Sequence, residues 1–269
     1  MTNTTTTTMR ILPPIAIGRR SWRLVERNAL AYRRMWGLFA TGFVEPILYL
    51  LSIGIGVGKL VGDLHVGSQV VSYREFVAPG LLAAAAMNGS VLDTTLNFFV
   101  KYKYSHTYDA VLATPVEVSD VAVGEVTWAL MRGAAYSTGF LVTMLCFGDV
   151  KSWWAIFAVP AAVLIGFGFA GAGLAATTYM RSFVDFDYVN LAIVPLFLFS
   201  ATFFPLSRYP AGLQFVIRLT PLYQGVVLER SLVLGAVHWS LLVNATYLAV
   251  MGIVGVRVAS RRIGRLLQP

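Results

Sequence analysis

The chain has 269 residues and a mass of 29.4 kDa; 57% of it is hydrophobic, 13% is charged, and its mean hydropathy is +0.69. Soluble domains carry roughly a quarter charged residues, and one core of this size cannot hide so many apolar side chains. A soluble globule, a disordered chain and a disulfide-stapled scaffold are therefore excluded, and a membrane protein remains. The net charge of +8 would favour nucleic acid in a soluble protein, but here its placement matters more, and no nucleic-acid partner is expected.

Residues 1–20 open with a polar threonine tract and read as a flexible cytoplasmic N-terminus. Over residues 21–36, Trp22, Val25, Ala29, Tyr32 and Trp36 recur every three to four positions, with Arg23, Arg27 and Arg34 beside them. This pattern predicts an amphipathic helix on the membrane surface, its arginines reaching anionic headgroups; a basic flank that only fixes orientation is the alternative.

A spanning helix needs about 20 mostly apolar residues. Six segments qualify: 38–58, broken by Glu45-Pro46; 77–100, with Asp93; 121–147, with Glu125 and Arg132; and 153–180, 188–204 and 237–256, the last three uncharged but for His238. Threading them alternately puts fourteen Lys and Arg on the side of both termini and six on the other, so the termini are expected in the cytoplasm. The expectation is an all-α integral membrane protein with one domain over 21–265 and a short tail at 266–269.

Two connections stand out. Lys101, Tyr102, Lys103, Tyr104, Ser105, His106, Thr107, Tyr108, Asp109, Leu112, Thr114 and Pro115 form the longest inner loop. Its aromatic and aliphatic residues have helical spacing and Pro115 stops the run, so the loop reads as a docking helix or as a plain connector. Residues 205–236 lie outside yet are largely apolar, and Pro205, Pro210 and Pro221 divide them. Two short helices, near 214–219 and 222–234 and including Glu229 and Arg230, are expected as a re-entrant or interfacial hairpin between spans five and six.

Charges inside spans are costly and are functional candidates by default, although pairing that only orients helices accounts for them equally. Asp93 and Asn97 share a helix face, as do Glu125 and Arg132, and Arg132 is expected to pair with Glu45 or Glu125. Phe39, Phe43 and Tyr49 in span one and Phe197, Phe199, Phe203 and Phe204 near span five line a substrate path, or else face lipid. No phosphate-cradling loop, nucleophile elbow or zinc-binding helix motif is present, the one cysteine is Cys146, and the three histidines are far apart. Neither catalysis nor a metal is expected in this chain.

These pieces have a familiar order: a basic interfacial helix, a span with Glu45-Pro46, a loop ending Ala113-Thr114-Pro115, and Gly124-Glu125 opening span three. Phe203-Phe204-Pro205-Leu206, Tyr209-Pro210, Thr220-Pro221-Leu222 and Glu229-Arg230 follow. The sequence resembles the membrane subunit of ABC type-2 exporters, most of all the NodJ-like lipo-oligosaccharide permeases and more distantly the daunorubicin-resistance permeases. The run from Thr107 to Pro115 is the most specific part, with Asp109 where Glu is usual.

The resemblance implies an efflux permease in the bacterial inner membrane that moves a lipid-like, glycolipid or drug-like substrate outward. It implies a dimer of permeases, identical or related, above two ATPase subunits that bind ATP and Mg. The 101–115 loop would be the coupling helix seated in the ATPase, and 21–36 the connecting helix beside it. A channel and a membrane-embedded glycolipid enzyme are the competing readings; the first wants polar residues repeated down a span, the second clustered carboxylates or histidines.

Overall fold

The computed structural model describes residues 18–33, 37, 44, 47–66 and 69–267. Arg34, Trp36, Phe39, Phe43, Glu45 and Pro46 lie outside the described residues, as does the side chain of Leu112. The described chain is almost wholly helical. Helix α1 is Arg19–Arg33, and residues 47–61 form α2, which contains a π-helical turn over Ile53–Val57. Gly62, at φ +68°, ends α2.

A departure from the all-α expectation follows. Strands β1 (Asp63–Val66) and β2 (Gln69–Ser72) pair antiparallel, Asp63 opposite Ser72 and Val66 opposite Gln69. The β-branched run Val70-Val71 favours strand, and Val71 is buried beneath it.

Helix α3 runs from Tyr73 to Tyr104 with π-helical turns over Asp93–Asn97 and Val100–Tyr104. A capping box starts it: the Glu75 amide donates to Ser72 Oγ (3.3 Å) and the Ser72 amide to Glu75 Oε2 (2.9 Å). The remaining helices are α4 (Thr107–Leu112), α5 (Val118–Cys146), α6 (Trp153–Thr177), α7 (Phe186–Leu198), α8 (Ala211–Leu219), α9 (Pro221–Leu234) and α10 (Leu241–Leu267).

Among the described residues three helices are long and apolar enough to cross a membrane: α3, α6, and α10 over Leu241–Arg265. The expectation of six spans is met to that extent. Helix α5 has 29 residues, but Asp120, Glu125 and Arg132 dilute its hydropathy. Helix α7 has 13 residues, about 20 Å of helix against a hydrocarbon core of about 30 Å, so the fifth expected span is shorter than 188–204. Pro195 lies in its last turn, and beyond it Ala201 takes a left-handed φ of +57° that no helix continues through. The sixth expected span starts later and runs further than 237–256.

Helix α6 is the hub, packed on α3, α5, α9 and α10. The core divides into three layers along the bundle: one around Phe76, Phe140 and Val233, one around Met87, Ile165 and Leu222, and one around Leu24, Phe98 and Leu174. Small residues set the helix spacing. A Cβ on Gly171 would lie 2.5 Å from the Gly252 carbonyl oxygen, and one on Gly168 would lie 3.1 Å from that of Leu248. Bilayer lipid is as apolar as leucine, so close backbone approach of this kind is a main source of helix association there.

Helices α8 and α9 sit near the expected hairpin positions. Pro221 at the first turn of α9 and Gly235, at φ +82°, just past its end are the residues such ends favour. Arg230 donates to the carbonyls of Phe76 (3.1 Å), Ala201 (2.9 Å) and Thr202 (3.3 Å), and its guanidinium lies 3.8 Å from the Phe76 ring centre. It ties the strained segment after α7 to the start of α3.

Candidate functional site

The intramembrane charges and the loop residues converge where α1 meets the ends of α3 and α5. Gly124 permits the approach of α1, since a Cβ there would meet Leu24 Cβ at 2.9 Å, and Ser21 Oγ donates to Asp120 Oδ1 at 3.0 Å. The docked face is Ser21, Leu24, Val25 and Asn28, with Tyr32 half-buried. Of the expected stripe, Val25 is buried and Tyr32 half-buried against the protein, while Trp22 and Ala29 are exposed, as a membrane-facing side would be.

Glu125, buried in α5, is the hub of the first cluster. Lys101 Nζ donates to its Oε2 at 2.7 Å, Asn28 Nδ2 to the same oxygen at 3.2 Å, and Arg27 Nη2 to its Oε1 at 3.3 Å. Lys101 also donates to Asn28 Oδ1 at 3.2 Å. One carboxylate thus holds α1, α3 and α5 together. Buried charges persist when paired and hydrogen-bonded in this way.

The second cluster lies deeper. Among the described residues Arg132 forms its ion pair with Asp93 and not with Glu125, whereas Glu45, the other expected partner, lies outside the described residues. The reason is positional: Glu125 is taken by two cations nearer the loop, while Asp93 faces Arg132 across the α3–α5 contact. Asn97 Nδ2 donates to Asp93 Oδ1 at 2.7 Å, within the π-helical turn, which bears out their shared face. Tyr32 OH accepts from Arg132 Nη1 at 2.8 Å and from Asn97 Nδ2 at 3.3 Å, joining α1 to this pair as well. Tyr32 also packs on Trp128, ring centres 5.3 Å apart. Burial pushes up the Tyr32 hydroxyl pKa against the pull of Arg132, so this donor–acceptor stays a neutral phenol.

The loop residues divide in a way the sequence did not indicate. Tyr102 is half-buried, and Lys101, Lys103 and Tyr104 with it belong to the last turn of α3 rather than to a separate loop helix. The break falls at Ser105-His106, where His106 is left-handed at φ +47°. The loop helix is therefore the six residues of α4, ended by the turn containing Thr114 and Pro115. Tyr108 does not face outward: it is fully buried, stacked on Phe98 with ring centres 5.0 Å apart. Burial, and then the Glu125 charge, push its hydroxyl pKa well up. Ser105, His106, Asp109, Ala110 and Thr114 are exposed and Thr107 is half-buried; the His106 ring and the Asp109 carboxylate are 2.9 Å apart. Tyr108 is thus the anchor of α4 and the exposed residues its presented face.

Replacing Tyr108 by alanine is expected to cost about 3 kcal/mol, in the range for large-to-small core changes, and to free α4. Limited trypsinolysis checks this: cleavage at the exposed Lys103 should rise several-fold while the membrane core stays intact.

Phe39 and Phe43 of the expected path lie outside the described residues, and the described path aromatics are not gathered in one place. Phe197 packs edge-to-face on Phe203 at 5.1 Å, both half-buried against the core, whereas Tyr49, Phe199 and Phe204 are exposed. Glu229 is fully buried in α9, and Arg230 serves the clamp described above. No group of three or more metal-ligating side chains occurs among the described residues. Asn28 and the Arg132–Tyr32 contact were not foreseen; an asparagine in a basic helix gives no advance sign of which face will dock.

Comparison with known proteins agrees with this architecture. Residues 19–234 match the family model described as ABC-2 type transporter. The chain is 30% identical over 228 residues to Nodulation protein J of Rhizobium meliloti (strain 1021), covering 83% of this chain and 84% of that protein. It is 32% identical over 222 residues to Nodulation protein J of Rhizobium leguminosarum bv. trifolii, covering 82% and 81%. The inner membrane transport permease YadH of Escherichia coli (strain K12) is 27% identical over 200 residues, covering 71% and 73%. With four-fifths of its length matched, the chain belongs to the ABC-2 type transporter family, as a transmembrane transport subunit and not a catalytic enzyme.

Proposed function

We propose that this chain is the permease half of an ATP-driven exporter, moving an amphipathic, lipid-like or glycolipid substrate outward while a separate ATPase binds ATP and Mg. ABC-2 permeases work with ATPase subunits in general. Two permease copies above two ATPases is the arrangement inferred for this one.

The observation that carries the reading is the linkage of α4 to the spans. Tyr108 anchors α4, Glu125 and Lys101 join the adjoining end of α3 to α5 and α1, and Asp93–Arg132–Tyr32 extends the chain of contacts into the bilayer. A push on the exposed face of α4 therefore reaches three helices as one body. Among the described residues an enzyme reading finds no group of three or more His, Cys, Asp or Glu side chains to rest on, and a channel reading has no polar stripe in α6.

For topology we infer six crossings, with α2, α5 and α7 added to the three apolar spans, α8–α9 re-entrant on the outer side, and both termini at the cytoplasmic face of the inner membrane. The Lys and Arg distribution supports this. So do Trp153 and Trp239, almost fully exposed near the outer ends of α6 and α10, where interfacial aromatics belong. In a Cys146→Ser background, a membrane-impermeant maleimide should label Asp63→Cys and not Thr114→Cys in intact cells; the opposite pattern refutes the orientation.

Coupling is tested on the presented face alone. Replacing Asp109 with Arg and Ala110 with Trp should reduce co-purification of the ATPase at least tenfold without lowering the thermal midpoint of the permease. Unchanged association and export would reject the docking assignment.

A further inference from the structure

A groove of about 710 Å³ opens between α7 and the wall formed by α3, α6 and α10, outside the charged clusters and apart from the aromatic path. Its volume lies in the ~300–1,000 Å³ range of ligand sites. Val91, Phe169, Ala172, Ala192, Ile193 and Met251 give it an apolar lining. It exists because α7 buries no residue fully: Val189, Ile193, Leu196 and Phe197 touch the core but stay half-buried, and most of the rest of the helix is exposed.

One end is basic. Arg181 lies in the lining, and Lys103 reaches it, its ammonium donating to the Arg181 carbonyl at 2.9 Å. Arg262 of α10 lies over the ring of Tyr179, another lining residue, at 3.6 Å. Among the described residues the Arg181 and Arg262 guanidinium groups have no hydrogen-bond acceptor, and Arg262 Nε is buried without one. The single acid in the lining, Asp185, is occupied: it caps the amides of Arg181 (2.5 Å) and Ser182 (3.1 Å), and these bonds hold its carboxyl below the usual range.

A dry furrow ending in cations with unused donors is complementary to an amphiphile with an anionic head. We propose that this groove is a binding site for an anionic phospholipid, one acyl chain lying between α7 and α6 and the phosphate held by Arg181 and Arg262. The lipid completes the partial packing of α7 on the core. The site does not require that lipid be the exported substrate; only the leaflet it faces, the cytoplasmic one, rests on the topology inferred above.

The test is native mass spectrometry of the purified full-length chain, delipidated in mild detergent and titrated with phosphatidylglycerol or phosphatidylcholine of equal chain length. Phosphatidylglycerol should be retained at least tenfold more strongly. Arg181→Ala combined with Arg262→Ala should abolish that preference. Ala192→Trp on α7 and Ala176→Trp on α6 each fill the groove with the basic mouth intact, and each should reduce retention of both lipids; having one on each wall guards against a variant that fails to fold. Equal retention of the two lipids overturns the proposal, as does phosphatidylglycerol binding that survives the groove-filling changes. A tightly held molecule other than phospholipid in this groove also overturns it.

Discussion

Exchanging Gly171 for leucine should leave almost no folded permease to purify. The α6–α10 contact is made by backbone: a Cβ on Gly171 would stand 2.5 Å from the Gly252 carbonyl oxygen and 3.0 Å from Gly252 Cα, and one on Gly255 would run into the Gly171 carbonyl. Overpacked cores usually lose about 1–3 kcal/mol by shifting side chains. Here no rotamer change relieves the clash, so the helices must separate, and the loss should exceed that range. Gly264→Leu is the control, in the partner helix α10, with no atom within 4 Å of the added Cβ. Size-exclusion chromatography and thermal denaturation in detergent should show near-wild-type behaviour for Gly264→Leu and aggregation for Gly171→Leu. A well-behaved Gly171→Leu protein would refute the close crossing.

The Asp93–Arg132 pair should show the second largest effect. Both side chains are nearly inaccessible, at 5% and 9% exposure, so removing one leaves the other buried and charged. Breaking a buried pair costs about 3–5 kcal/mol, and replacing both partners by apolar groups is often close to neutral. Asp93→Ala and Arg132→Ala should each lower the thermal midpoint strongly, the second more mildly for Asp93 because Asn97 still donates to it. Asp93→Leu with Arg132→Met should restore much of the stability. Export should stay low in the double variant, since Tyr32 then loses its donor on α5 and α1 keeps only the longer bond from Asn97 on α3. If the double variant recovers export together with stability, the pair only orients helices. If the single changes are additive, the two groups do not interact as described.

Much of the scaffold was readable in advance because membrane insertion leaves a strong mark on composition. Helix α6 coincides with its expected span almost residue for residue, since an uncharged apolar run bounded by Ser152 and by the Thr178–Ser182 turn admits little else. The short helices α8 and α9 followed from prolines, which set helix starts. The short α7 was misjudged because 188–204 is uncharged and mostly apolar, and hydropathy does not register the backbone reversal at Ala201. The β-hairpin was missed for a similar reason: four-residue strands beside a membrane carry too little pattern to distinguish from loop.

The chain's residue order by itself determined that this is a helical membrane protein, which segments are apolar, where its cations concentrate and which family it resembles. Only the tertiary structure decided the partners: Asp93 for Arg132, Lys101 and Arg27 for Glu125, Phe98 for Tyr108, and the backbone of three residues for Arg230. The physical reason is that burial in lipid depends on the average character of a segment, which is local in sequence. Charge pairing and close packing depend on helix rotation and depth, which are set by contacts between residues tens of positions apart.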